Sequence, residues 1–329
     1  MKRVLWIGAL FIAFVLLIPV LGVAGQDNLD LWQKGEIKTS IVQFVEEIVD
    51  ESGPYYLPPE DRIATFDMDG TILLEKPQYV VFDFAERQLL KRIEGDASLK
   101  NVQPYKAVVE KDLSYFSHDP YAENSLYAIL LYATDGFTDA QYNAALAKYF
   151  AQVKDKRFGL SYDRLVYAPV VQLIDYLKAH QFTVYICSGS DPQFTRGFAL
   201  EAAHITPENV IGTTVLTTWD RERKDADFVR QHEFVKPIND KEGKPVNIRN
   251  KIGRVPVFAL GNSGGDFHML EYSKAAAHSI QLIVNHDDPE REYQYKDEEM
   301  RTMCRENGWH EISMKKDFKV VFAEVDAKK

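Results

Sequence analysis

Three short apolar runs, each ending in a polar, glycine-bearing turn, constrain this chain more than any other feature. Residues 63–66 end at Asp67-Met68-Asp69-Gly70-Thr71, and residues 182–187 end at Ser188-Gly189-Ser190-Asp191. Residues 257–260 end at Gly261-Asn262-Ser263-Gly264-Gly265-Asp266. Apolar runs of this length bounded by turn residues read as buried strands. Apolar positions at helical spacing, Ile41, Val42, Phe44, Val45, Ile48 and Val49, precede the first run; Val170, Val171, Leu173, Ile174 and Leu177 precede the second. This β-α-β rhythm predicts an α/β fold, a Rossmann-like parallel sheet with helices on both faces. Ligands of such sheets bind beyond the carboxyl ends of the strands, so the three turns are expected to meet at one site.

Between the first and second strands lie about 80 residues of different texture, 80–160, helical in pattern and rich in Tyr, with Thr138-x-x-Gln141 as a capping box. A simple crossover needs far fewer residues. The segment is therefore expected to be an inserted, mostly helical cap, with residues 26–79 and 161–329 forming the core. At the other extreme of texture, Lys2 and Arg3 precede an apolar run that reaches about residue 24, with Gly22 and Ala24, or Val23 and Gly25, at the spacing of a cleavage site. Residues 1–25 read as a secretory signal peptide. The same run is long enough to span a bilayer as an uncleaved anchor, the one route by which this chain is expected to touch a membrane. Either reading puts the rest of the chain outside the cytoplasm, periplasmic or secreted.

Lys+Arg number 39 and Asp+Glu 49, a net charge of -10, which argues against a nucleic-acid partner. It does not exclude an anionic substrate, because one local Lys or a bound cation overrides the net field. Two cysteines, Cys187 and Cys304, make neither a disulfide framework nor a Cys-rich zinc site. The oligomeric state is not legible in these features.

The chemistry concentrates in the turns. Asp67 and Asp69 flank one residue at a strand end, and two carboxylates so close repel unless a cation binds; oxygen-only donors suit Mg²⁺. A calcium loop would need Gly at its sixth position and Glu at its twelfth, where this chain has Ile72 and Gln78. Ser188-Gly189-Ser190 is followed by Asp191 and Pro192, which read as a helix N-cap and first residue, so free N–H groups and a hydroxyl face an anion there. Taken singly, the Ser-Gly turn and the Gly261–Asp266 loop are ordinary.

Together they are not. Phe66-Asp67-Met68-Asp69-Gly70-Thr71 resembles the nucleophile motif of the haloacid dehalogenase superfamily. The strand ending at Ser188 is similar to its second motif and Gly261–Asp266 to its acidic fourth motif, in the same order, with the long insertion where the family carries its cap. The likeness spans about residues 60–285 and is strongest to the phosphoserine-phosphatase-like branch, and within it to secreted or periplasmic hydrolases. It implies a Mg²⁺-dependent phosphomonoester hydrolase acting on a small phosphorylated substrate. In that reading Asp67 attacks phosphorus to form an aspartyl-phosphate, Asp69 is the acid and base, and Thr71 and Ser188 hold phosphate oxygens. It further implies a Lys beside Asp67, for which Lys244 at a helix start is favoured over Lys251 and Lys236. The metal would be held by Asp67, the Asp69 carbonyl and the fourth motif, with Asn262 where the family usually has Asp, and Asp266 acting through water or by orienting the Lys. A phosphotransferase, a phosphocholine-type phosphatase and a non-catalytic binding protein are the alternatives on the same scaffold. Glu75 and Tyr79 lie where the chain enters the cap and are expected near substrate; His286 reads as part of a loop, and Cys187 as buried.

Overall fold

The computed structural model describes residues 29–327 except 118, 120 and 223–225, so the leader expected over residues 1–25 lies outside the described residues. Among the described residues no helix is long and apolar enough to cross a membrane.

The sheet has six strands: β1 (Ile63–Phe66), β2 (Thr183–Cys187), β3 (Val210–Ile211), β6 (Phe258–Gly261), β7 (Ile280–Asn285) and β8 (His310–Ser313), in the spatial order β3-β2-β1-β6-β7-β8. Every pairing is parallel. β1 is buried at all four residues, as a central strand covered on both faces must be. Its register, Phe66↔Ile186 on one side and Phe66↔Leu260 on the other, brings the ends of β1, β2 and β6 level. The three turns seen in the sequence therefore leave the sheet side by side.

Helices α1 (Glu36–Val49), α6 (Ala168–Ala179), α7 (Pro192–Ala203), α8 (Gly243–Ile252), α9 (Phe267–Ser273) and α10 (Glu298–Asn307) alternate with these strands. Two starts follow local sequence rules that were legible in advance. Thr138 and Gln141 form a reciprocal capping box at α5 (Asp139–Gln152). Asp191 accepts from the Gln193 N–H at the head of α7 (Pro192–Ala203), with Pro192 in the first turn. The core interior is aromatic and aliphatic, with Phe66 stacked on Phe258 at 5.5 Å between ring centroids.

Between β1 and β2 the chain builds α2 (Val80–Gly95), α3 (Tyr105–Glu110), α4 (Ala128–Thr134) and α5, before α6 (Ala168–Ala179) returns to the sheet. These cap helices enclose a second hydrophobic cluster of Ala85, Leu89, Ile93, Ile129 and Leu130. A further element departs from the expectation that 161–329 is all core. The antiparallel hairpin β4 (Val215–Asp220) and β5 (Asp227–Phe234) forms its own two-stranded sheet, and its Val215 is buried in the cap cluster. The backbone of Arg230 exchanges hydrogen bonds with Gly136 and Phe137, just before α5. Two strands with one apolar edge are marginal alone, so the hairpin is stable here by pairing with the cap.

Candidate active site

The first turn depends on a glycine. Gly70 has φ +77°, a left-handed conformation, and a Cβ there would lie 2.0 Å from Asn262 Nδ2. With that tight turn, Asp67 and Asp69 leave the end of β1 toward the same space, and both are buried. Asp67 lies beside β6, donating its N–H to the Leu260 carbonyl at 2.9 Å.

Lys244 reaches this pair from the first turn of α8 (Gly243–Ile252). Its Nζ donates to Asp67 Oδ1 at 2.7 Å, to Asp266 Oδ1 at 2.5 Å and to the Cys187 carbonyl at 2.8 Å. All three ammonium hydrogens are thus used, and the side chain is only 2% exposed. Burial works against its charge, but Asp266 and Asp67 outweigh it and hold Lys244 protonated. Lys251 and Lys236, the other candidates, are exposed.

Burial, reinforced by the Asp266 charge, pushes the Asp67 carboxyl well up against the pull of Lys244. Burial likewise pushes Asp69 up to about 7, although Asp69 Oδ2 accepts a hydrogen bond from Ser190 Oγ at 2.9 Å. Two neighbouring carboxyls therefore differ in environment. One is gripped by an ammonium; the other accepts a serine hydroxyl and keeps its second oxygen buried without a partner.

Above them opens a cavity of about 310 Å³, within the range of small-molecule sites. Its floor includes Asp67, Asp69, Lys244, Ser190 and Asp266, and its roof comes from α2 and the start of α4.

The profile of the haloacid dehalogenase-like hydrolases matches residues 64–271, more than half of the chain. The chain belongs to the haloacid dehalogenase-like hydrolases. No curated protein matches the sequence. Among solved structures, a conserved protein of unknown function from Anaerococcus prevotii DSM 20548 is similar at 17% identity, covering 84% of this chain and 91% of its own, with a TM-score of 0.55. A protein of unknown function from Bordetella pertussis Tohama I is similar at 16% identity, covering 76% and 97%, with a TM-score of 0.51. These two likenesses are of fold.

In this hydrolase the expected site residues separate into two groups. Asp67, Asp69, Lys244 and Asp266 meet at the cavity floor. Thr71 and Ser188 do not reach it. Both are fully buried, Thr71 Oγ1 facing Asn262 Oδ1 at 3.4 Å and Ser188 Oγ accepting the Ser190 N–H at 3.0 Å. The hydroxyl in the cavity wall is that of Ser190, because the Ser188 side chain folds back to close its own turn. Asp266 lies against the lysine and its own loop. Its Oδ1 takes the Lys244 hydrogen, and its Oδ2 accepts the N–H groups of Asn262 at 2.9 Å and Ser263 at 3.1 Å, so it orients the lysine and the loop.

Two further anchors were not legible as such. His286, which follows β7, is buried, with Nε2 at 2.8 Å from the Gly70 carbonyl and Nδ1 at 3.2 Å from Glu292. Each ring nitrogen faces an acceptor, so the ring clamps the Asp67–Gly70 turn from behind, and Tyr295 stacks on it at 4.1 Å. Arg230 of β5 pairs with Asp191 at 2.6 Å, donates to Thr134 Oγ1 at 3.0 Å and lies over the Tyr142 ring, tying the hairpin and the cap to the turn after β2.

Proposed function

We propose that this chain is a phosphomonoester hydrolase that works through Asp67 and Asp69. The observation that carries the reading is the unequal carboxyl pair at one cavity floor, Asp67 held by the Lys244 ammonium and Asp69 by the Ser190 hydroxyl, with burial raising Asp69 toward neutral pH. An Asp67 carboxylate oxygen attacks phosphorus, the phosphorus–alkoxide bond breaks, and Asp69 gives its proton to the leaving oxygen. Asp69, now ionised, takes a proton from water as that water attacks the aspartyl-phosphate; the bond to Asp67 breaks and inorganic phosphate leaves. Lys244 offsets negative charge on Asp67 throughout.

The residues fit a hard divalent cation. Asp67, Asp69 and Asp266 bring three carboxylates against the single charge of Lys244, and Asp69 Oδ1 and Asn262 Nδ2 are buried without partners. Rotating the Asn262 amide by a half-turn puts its oxygen where the nitrogen now lies. Among the described residues no three His, Cys, Asp or Glu side chains are arranged around one metal position. The donor set would instead be the Asp67 carboxylate, the Asp69 main-chain carbonyl and the Asn262 amide. Mg²⁺ bound there supplies positive charge to the transferring phosphoryl group.

The expected substrate is a small phosphorylated molecule. The sequence of residues 1–25 supports a location outside the cytoplasm, which N-terminal sequencing of the exported chain checks. The direct test of the reaction is release of phosphate from a chromogenic aryl phosphate. Hydrolysis that needs Mg²⁺ and is abolished by a chelator supports the reading; phosphate transfer to an acceptor without net hydrolysis overturns it in favour of a phosphotransferase.

A further inference from the structure

The roof of the cavity differs in chemistry from its floor. Val81, Phe82 and Ala85 on α2, with Leu126, Ile129 and Leu130 at α4, present aliphatic and aromatic surface to the space above Asp67. Tyr79 and Tyr127 complete this wall, and burial pushes both phenols well up, so they stay neutral. The cations that line the cavity are Lys244 and Lys241, and both belong to the core side. Lys244 has no hydrogen left to give. Besides Asp67, Asp69 and Asp266 of the floor, the acids around the same space are Glu75, Asp240 and Asp191, of which Arg230 already neutralises Asp191. Glu75 is itself paired with Lys76 at 3.2 Å.

A leaving group in this space therefore meets apolar atoms on the cap side. A second anion on it would be desolvated near Glu75 and Asp240 without a cap cation to pair with.

Resting on the hydrolase reading above, we propose that the cavity selects phosphomonoesters of apolar alcohols, alkyl or aryl, over those whose leaving group carries a second negative charge. The phosphoryl end lies on Asp67 and Lys244, and the hydrocarbon end against α2 and α4.

Calorimetric titration of the full chain in Mg²⁺ with ethyl-, butyl- and hexylphosphonate tests this without relying on turnover. The dissociation constant should fall roughly threefold for each added methylene until the roof is reached. Phosphonates of matched length ending in a carboxylate should bind about tenfold more weakly. Leu126→Arg, at a half-buried cap position, should shift the preference toward the carboxylate probe; if circular dichroism shows that variant unfolded, Phe82→Arg reads the same effect. A flat chain-length series, or equal or tighter binding of the carboxylate probe, overturns the inference even if aryl phosphate hydrolysis stands. A chain-length-dependent series with no hydrolysis of any phosphomonoester supports the apolar roof while overturning the hydrolase reading. Failure of every phosphonate to bind overturns both.

Discussion

The floor and the roof of the cavity are built by opposite means. On the floor, each charged group is fixed by a neighbour at the end of an adjacent strand: Lys244 joins Asp67 to Asp266, and Asp266 holds the backbone of its own loop. In the roof, the α2 and α4 side chains that face the space are apolar or aromatic, and the surface is a by-product of how α2 and α4 pack over their own core. The comparison separates two tasks. Reactivity depends on polar atoms set by a rigid parallel sheet, and selection depends on helical surface that can change without touching them. Arg230 is the joint between the halves, since it contacts Asp191 in the core together with Thr134 and Tyr142 in the cap.

If the floor carries the reaction, its nucleophile is the place to break it. Asp67→Asn keeps the shape and removes the attacking charge. Turnover of an aryl phosphate should fall by about 10³-fold or more, with the circular dichroism spectrum unchanged. Activity near that of the parent chain would sink the covalent mechanism.

Asp69→Asn should cost less. General acid–base help is worth about 10²–10⁴-fold, and it matters most where the leaving oxygen is basic. The loss should therefore be larger on alkyl than on aryl phosphates, measured as kcat on matched esters. Equal losses on the two would remove Asp69 from the proton transfer and leave it a structural partner of Ser190.

The joint gives a test of stability. Arg230 and Asp191 are each 2% exposed, so removing the guanidinium leaves a buried carboxylate unpaired. Arg230→Met should destabilise the fold by about 3–5 kcal/mol in urea denaturation. Adding Asp191→Asn in the same chain should recover part of that loss, because the amide oxygen still accepts the Gln193 N–H at the head of α7. No recovery would mean that Arg230 acts through Thr134 and Tyr142 rather than through the charge.

The two halves were unequally legible, for the same physical reason that they differ. Strand-end turns are local: an apolar run followed by Asp67-Met68-Asp69-Gly70 announces both the strand and the carboxylates, and the sheet brings such turns together by topology alone. Lys244 was legible because it lies in the first turn of a helix that enters from that same end. Ser190 rather than Ser188 as the cavity hydroxyl was not, since both serines lie in one turn and only their side-chain directions distinguish them. The His286 clamp joins residues 216 apart in sequence, and nothing near His286 marks it as more than a loop. The hairpin was not read from the sequence, and its attachment to the cap depends on backbone hydrogen bonds between Arg230 and residues 136 and 137, which no local pattern predicts.

The smallest expected effect concerns the one neutral group among the proposed metal donors. Asn262 lies at the end of β6 with its amide nitrogen buried and unpartnered beside Gly70. Asn262→Asp puts a carboxylate in that place without changing its size. Hard cations favour carboxylate oxygen, so Mg²⁺ should bind about tenfold more tightly, read both by calorimetry and by the half-saturating Mg²⁺ concentration for turnover. The rate at saturating metal should not rise, because the added charge also faces the incoming phosphoryl group. The same substitution adds a fourth carboxylate around Lys244, so without Mg²⁺ the variant should be less stable than the parent chain, and saturating Mg²⁺ should close most of that gap. An unchanged or weaker Mg²⁺ affinity would take Asn262 out of the donor set. Asp266 could not replace it without releasing Lys244 and the N–H groups of its loop, so the metal would then have to be held by the Asp67–Asp69 turn alone.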